Sequence, residues 1–181
     1  PSLGISVYPQ DGVDFETLLK HADIAMYRAK ESGRNAYQFF ASEMNEAALE
    51  RLLLENSLRQ AIERAEFVLY YQAKVDLEHG KIVGAEALIR WQHPKLGLVA
   101  PDKFIPVAEQ CGLIVPLGDW VLHEACRQNQ AWQSAGLPAI SVAVNISSVQ
   151  FRNGQLDASV SRALSESGMA PEFLEVELTE G

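Results

Sequence analysis

The chain has 181 residues, 48% of them hydrophobic and 22% charged, proportions that suit a globular protein and exclude a disordered one. A formal net charge of -9 excludes the basic footprint with which proteins hold polymeric nucleic acid, because duplex binding depends on clustered Lys and Arg displacing counterions from phosphates. No run approaches the roughly 20 apolar residues of a membrane span, and Cys111 and Cys126 lack any Cys-x-x-Cys or Cys/His spacing, so zinc and a disulfide framework give way to a reducing, cytoplasmic setting.

Residues 3–8 read as a short strand, closed by a turn at Pro9-Gln10-Asp11-Gly12, since Pro fixes φ and Gly accepts positive φ. Asp14 is the expected N-cap of a helix in which Phe15, Leu18, Leu19, Ala22, Ala25, Met26 and Ala29 share a face, with Gly33 as its stop. A strand over 37–40 follows. Residues 43–66 contain strong helix formers and neither Gly nor Pro. They predict a linker helix between an N-terminal part, 1–42, too short to bury a core of its own, and a second region, 67–181.

That second region alternates: strands over 67–77 and 81–91, helices over 102–111 and 119–136, a strand over 139–146, a helix over 156–168 and a last strand over 173–179. The Glu78-His79-Gly80 turn makes the first two strands a hairpin, and the strand-helix-strand units after it predict parallel pairing. An α/β barrel and a doubly wound sheet both fit this pattern. The chain opens without Met inside a strand-like segment and stops at Glu180-Gly181, so we expect it to be a piece of a longer protein.

Three of these strands carry polar groups on one face. Alternation puts Glu86, Leu88 and Arg90 together, then Ser141, Ala143, Asn145 and Ser147, then Glu175, Glu177 and Thr179. Strands covered on both sides are normally continuous apolar runs, and a buried charge is costly unless it is paired or bound to metal. If the strands are neighbours, Glu86, Asn145 and Glu177 converge as three oxygen ligands, a donor set for Mg²⁺ or Mn²⁺ rather than zinc or copper. By itself Arg90 reads as an ion-pair partner of Glu86, and the two cysteines read as small core residues. His21, His79, His93 and His123 are scattered and form no cluster.

The stretches Tyr70-Tyr71-Gln72-Ala73-Lys74-Val75-Asp76, Gly84-Ala85-Glu86-Ala87-Leu88-Ile89-Arg90-Trp91, Phe104-Ile105-Pro106-Val107-Ala108-Glu109, Asn145-Ile146-Ser147 with Gln150-Phe151, and Glu177-Leu178-Thr179-Glu180 resemble, in order, successive motifs of EAL domains. The opening piece is similar to the end of a GGDEF domain, through Ser2-Leu3-Gly4-Ile5-Ser6, Tyr8-Pro9, Asp11-Gly12, Ala22-Asp23, Ala25-Met26-Tyr27, Ala29-Lys30 and Gly33-Arg34-Asn35. One departure is Ala73, where Pro commonly follows the Gln.

The resemblance implies an α/β fold: a partial TIM-type barrel whose first strand runs against the rest, preceded by the linker helix and the α+β remnant of a GGDEF domain. It implies hydrolysis of cyclic di-GMP to linear pGpG with Mg²⁺ or Mn²⁺. Glu86, Asn145 and Glu177 match the metal ligands, Leu88 and Arg90 the contacts to base and phosphate, Gln72 a further ligand contact, and Glu180 the acid that orders a dimer-linked loop. Lys30 and Arg34, one helical turn apart, match residues that contact nucleotide phosphates in GGDEF domains, and read equally well as a solvated basic helix end favoured by the dipole. The family's paired-aspartate strand, later Lys strand and final Glu strand lie beyond residue 181, so the chain alone is expected to be inactive. The parent is expected to be a cytoplasmic homodimer through its EAL domain, with any membrane anchor in segments outside this chain. The alternative to an active phosphodiesterase is a non-catalytic cyclic di-GMP receptor or dimerisation module.

Overall fold

A computed structural model describes residues 1–33 and 35–179, which fall into two units, Pro1–Leu54 and Glu55–Gly181. In the first, β1 (Leu3–Ile5) and β2 (Tyr37–Phe39) pair in parallel and α1 (Phe15–Glu31) packs on them. The Asp14 carboxylate caps α1, accepting from the Thr17 backbone N–H and hydroxyl, each at 2.8 Å. These bonds hold the carboxyl below its ordinary pKa. Gly4 is what lets β1 approach the helix: a Cβ there would collide with the Ala22 carbonyl and the Met26 backbone. The strand is shorter than the expected 3–8 because Val7 is taken by the turn. Its N–H donates to the Asp11 carboxylate at 2.6 Å and its carbonyl accepts from the Asp11 N–H at 2.8 Å.

The helix α2 runs Glu43–Glu63, and the two units divide within it. In the second unit its end buries Leu58 and Ala61 completely. The hairpin follows, β3 (Phe67–Val75) antiparallel to β4 (Ile82–His93), with Gly80 at φ +66 in the turn. After β4 the chain turns back as β5 (Gly97–Val99), a short antiparallel strand absent from the sequence reading. Its turn is built by the His93 ring, whose Nδ1 accepts from the N–H groups of Lys95 and Leu96 at 3.0 and 3.1 Å.

Helices α3 (Pro101–Gln110) and α4 (Ile114–Ser134) lead to β6 (Ser141–Ile146), which pairs with β4 in parallel. A one-turn helix α5 (Ser148–Arg152) and α6 (Leu156–Ser167) then lead to β7 (Leu174–Leu178), parallel to β6. The sheet order is β3-β4-β6-β7 with β5 on β4. An antiparallel first strand followed by parallel ones is the order expected for the start of the reversed-strand barrel.

The two faces of this sheet differ. On one, Ala87, Val142, Val144 and Ile146 pack against Val121, Leu122, Ala125 and Cys126 of α4 and Ala163 of α6, and burial pushes the Cys126 thiol up to about 11. An aromatic group extends this core, with Phe67 beside Trp91, Phe104 and Trp120 at ring separations of 5.7, 5.7 and 6.1 Å. Both cysteines are free, Cys126 buried and Cys111 half-buried. The opposite face carries Gln72, Lys74, Glu86, Asn145, Glu175 and Glu177. No helix among the described residues is long and apolar enough to cross a membrane.

Candidate functional site

The polar face is set by register. Gln72 of β3 lies opposite Glu86 of β4, Glu86 opposite Ala143 of β6, and Asn145 of β6 opposite Glu177 of β7. Alternation in each strand therefore turns Glu86, Asn145 and Glu177 to one side. The Asn145 Nδ2 group donates to Glu86 Oε1 at 2.6 Å, so Asn145 sits between the two carboxylates, bonded to one and paired in register with the other.

A second tier lies toward the beginning of the parallel strands. Lys74 Nζ donates to Glu177 Oε1 at 2.7 Å and to Glu175 Oε2 at 3.0 Å, while the Ser141 hydroxyl donates to Glu175 Oε1 at 2.5 Å. The bonds to Glu177 and Glu175 hold the Lys74 pKa above its ordinary value. The Ser141 bond, then the Lys74 bond, holds Glu175 below its own. Small residues open the path from β3 to β7. A Cβ on Gly84 would stand 2.8 Å from Ser141 Oγ and 3.5 Å from Lys74 Cδ. Lys74, Ser141 and Glu175 were not among the site residues read from the sequence. Lys74 is two residues from Gln72, and Glu175 two from Glu177, so alternation already placed each on the same face as a candidate.

Arg90 does not pair with Glu86. Four residues apart along a strand the two are separated by about 13 Å, too far for an ion pair although the face is shared. The guanidinium instead donates to the Ile89 carbonyl at 2.8 Å and lies over the Tyr70 ring at 5.6 Å. Leu88 lines a mostly apolar cavity of about 290 Å³ that also reaches Ile105, Leu117, Val121, Asn145 and Thr179.

The floor of that cavity is fixed by α5, which the sequence reading missed. The Ser147 hydroxyl accepts from the Val149 N–H at 3.0 Å, and the Gln150 side chain accepts from the Ser147 N–H at 3.1 Å. The spacing Ser147-x-x-Gln150 is a capping box and could have announced this turn. Gln150 packs so closely on α4 that a Cβ on Gly118 would overlap it.

The donor set suits a hard divalent cation: two carboxylates and an amide oxygen, with no Cys or His. Among the described residues no three His, Cys, Asp or Glu side chains gather into a cluster, so the two carboxylates reach three donors only with Asn145 counted. In the first unit Lys30 is exposed in the last turn of α1. Arg34 and Glu180 lie outside the described residues.

Family models match the chain in two parts, "EAL domain" over residues 55–181 and "Diguanylate cyclase, GGDEF domain" over residues 1–36. The bifunctional diguanylate cyclase/cyclic di-GMP phosphodiesterase MucR of Pseudomonas aeruginosa is 49% identical over 99% of this chain and 26% of its own length. The cyclic di-GMP phosphodiesterase NbdA of the same organism is 42% identical over 99% of this chain and 23% of its own length. The chain thus spans about a quarter of the length of these curated relatives. A solved structure of PaMucR phosphodiesterase in complex with c-di-GMP is 46% identical, with a TM-score of 0.68 over 71% of this chain and 52% of that one.

Proposed function

The chain belongs to the EAL domain family, and from that premise we propose that residues 55–181 supply one side of the active site of a phosphodiesterase that hydrolyses cyclic di-GMP to pGpG in the whole protein. The observation that carries this reading is the alignment of Glu86, Asn145 and Glu177, with Asn145 bonded to Glu86 at 2.6 Å and paired in register with Glu177. Asn145 and Glu177 lie near the C-terminal ends of the parallel strands β6 and β7, where α/β barrels keep their chemistry, while Glu86 lies within β4.

In this reading the Glu86 and Glu177 carboxylates and the Asn145 amide oxygen hold Mg²⁺ or Mn²⁺. The bond to Glu86 uses the Asn145 nitrogen and so leaves that oxygen for the ion. Such an ion, when bound, activates water and neutralises charge on the phosphoryl oxygens. Arg90, with no carboxylate in ion-pair distance among the described residues, offers its guanidinium to a substrate phosphate. Its rest on the Ile89 carbonyl and the Tyr70 ring is easily exchanged for a phosphate. Leu88 presents the apolar cavity wall to a base, and Gln72, opposite Glu86, contacts the ligand from β3.

In the same reading residues 1–42 are the end of a GGDEF domain in which Lys30 and Arg34 are candidates for contact with a nucleotide phosphate, and residues 43–66 link the two domains. Glu180 orders a loop at a homodimer contact of a cytoplasmic parent. Mg²⁺- or Mn²⁺-dependent hydrolysis of cyclic di-GMP by the full-length protein tests the reading, beside its Glu86→Ala variant. We expect pGpG from the first and a loss of at least ~100-fold in kcat from the second, in line with removal of a metal ligand. A well-folded full-length protein that binds cyclic di-GMP without cleaving it would favour a receptor.

A further inference from the structure

The Lys74 ammonium occupies Glu177, one of the oxygen donors assigned to the metal, and nothing in the family assignment gives Lys74 a role. Its side chain starts on β3 and passes Gly84 of β4. It ends between two carboxylates of β7, 2.7 Å from Glu177 and 3.0 Å from Glu175. Ser141 fixes the far side of Glu175 at 2.5 Å. Glu175 thereby has two partners, whereas Lys74 is the single group bonded to Glu177 among the described residues.

We propose that Lys74 is a positioning residue that acts as a tethered placeholder cation, neutralising and aiming Glu177 until a divalent ion takes its place. The inference rests on the metal-site reading above. Without the ammonium the Glu177 carboxylate would face Glu175, which shares the same Nζ, with no opposite charge between them. An ammonium held by a strand keeps it directed into the site, and retreats to Glu175 when Glu177 becomes a metal ligand. Glu175 is the waiting partner, already aligned by Ser141. Gly84 keeps room for the Ser141 hydroxyl, which a Cβ there would approach to 2.8 Å.

A placeholder competes with what it holds the place for. Lys74 must release Glu177 before that carboxylate can ligate fully, and its positive charge opposes the incoming ion. Both side chains are partly exposed, 36% for Lys74 and 44% for Glu177, so the competition is screened and the effect moderate.

The test is direct Mn²⁺ binding to the full-length protein without substrate, followed by electron paramagnetic resonance of the free ion, for the wild type, Lys74→Met and Lys74→Arg. We expect Lys74→Met to bind Mn²⁺ about three- to tenfold more tightly than the wild type, by removal of a screened ion pair and a like charge. Lys74→Arg, which keeps the cation, should stay within about twofold of the wild type. Lys74→Met should also melt earlier than the wild type without metal and together with it at saturating Mn²⁺, a pattern that general damage to the sheet would not produce. Equal or weaker Mn²⁺ binding by Lys74→Met, with wild-type binding intact, overturns the placeholder role and leaves the metal site standing. Absence of Mn²⁺ binding in the folded wild type overturns the metal site, and the placeholder with it.

Discussion

The two faces of the second unit's sheet are made from the same strands yet are held by different forces. Along β6, Val142, Val144 and Ile146 are fully buried against α4 and α6, while Asn145 on the other face is half-buried and hydrogen-bonded to Glu86. On the first face cohesion comes from apolar area removed from water and close packing. On the second, partly hydrated ion pairs and hydrogen bonds give direction but little net stability. The fold therefore leans on one face, and the chemistry can be placed on the other at small cost.

Substitutions can break or sharpen that contrast. The largest stability effect belongs to the helix-covered face. Leu122→Ala, at a residue of 0% exposure, should cost roughly 2–5 kcal/mol through lost burial and the cavity left behind, read from the denaturant midpoint of the full-length protein's EAL transition.

An intermediate effect is expected where the faces meet. Ser147→Ala removes the α5 cap seen at Val149 N–H and should cost about 1 kcal/mol. It should also weaken cyclic di-GMP binding, because the α5 turn that carries Gln150 to the cavity wall loses the hydroxyl tying down its first N–H groups, although the Gln150 side chain keeps the Ser147 backbone N–H; unchanged affinity, by calorimetry, would detach that wall from the ligand.

The smallest effect belongs to the polar face. Ser141→Ala should cost no more than about 0.2–1 kcal/mol near neutral pH, and its sign with pH is fixed. Glu175 is depressed in the folded state, first by the Ser141 bond and then by Lys74, so its contribution is complete above its ordinary carboxylate value and is lost as pH falls through the depressed one. Wild type and Ser141→Ala should therefore converge in stability in acid. Lys74 is raised, so its share is complete below its ordinary lysine value and is lost as pH rises through the raised one. A difference between wild type and Ser141→Ala that grows in acid would contradict the assigned bond.

Much of this was legible in the residues. The reversed first strand followed from the Glu78-His79-Gly80 turn, since a short turn can join only antiparallel neighbours. The shared face of Glu86, Leu88 and Arg90 followed from the two-residue period of a strand. Three features were not legible in that reading. The β5 turn depends on a His93 side chain accepting two backbone N–H groups, a local bond with no periodic signature. The one-turn α5 is too short for a helical period and shows itself only through its capping box. The supposed Glu86–Arg90 pair failed because a shared face says nothing of distance along the strand.

By itself, then, the sequence determined the family, the longer elements and which side of each strand is polar, because periodicity and ordered motifs are local properties of a chain. The tertiary structure decided which polar residues meet. Asn145 reaches Glu86 only because β6 lies beside β4, and Lys74 reaches Glu177 from 103 positions away. Such contacts depend on strand order and register, and those are settled by packing the apolar face, which no single segment encodes.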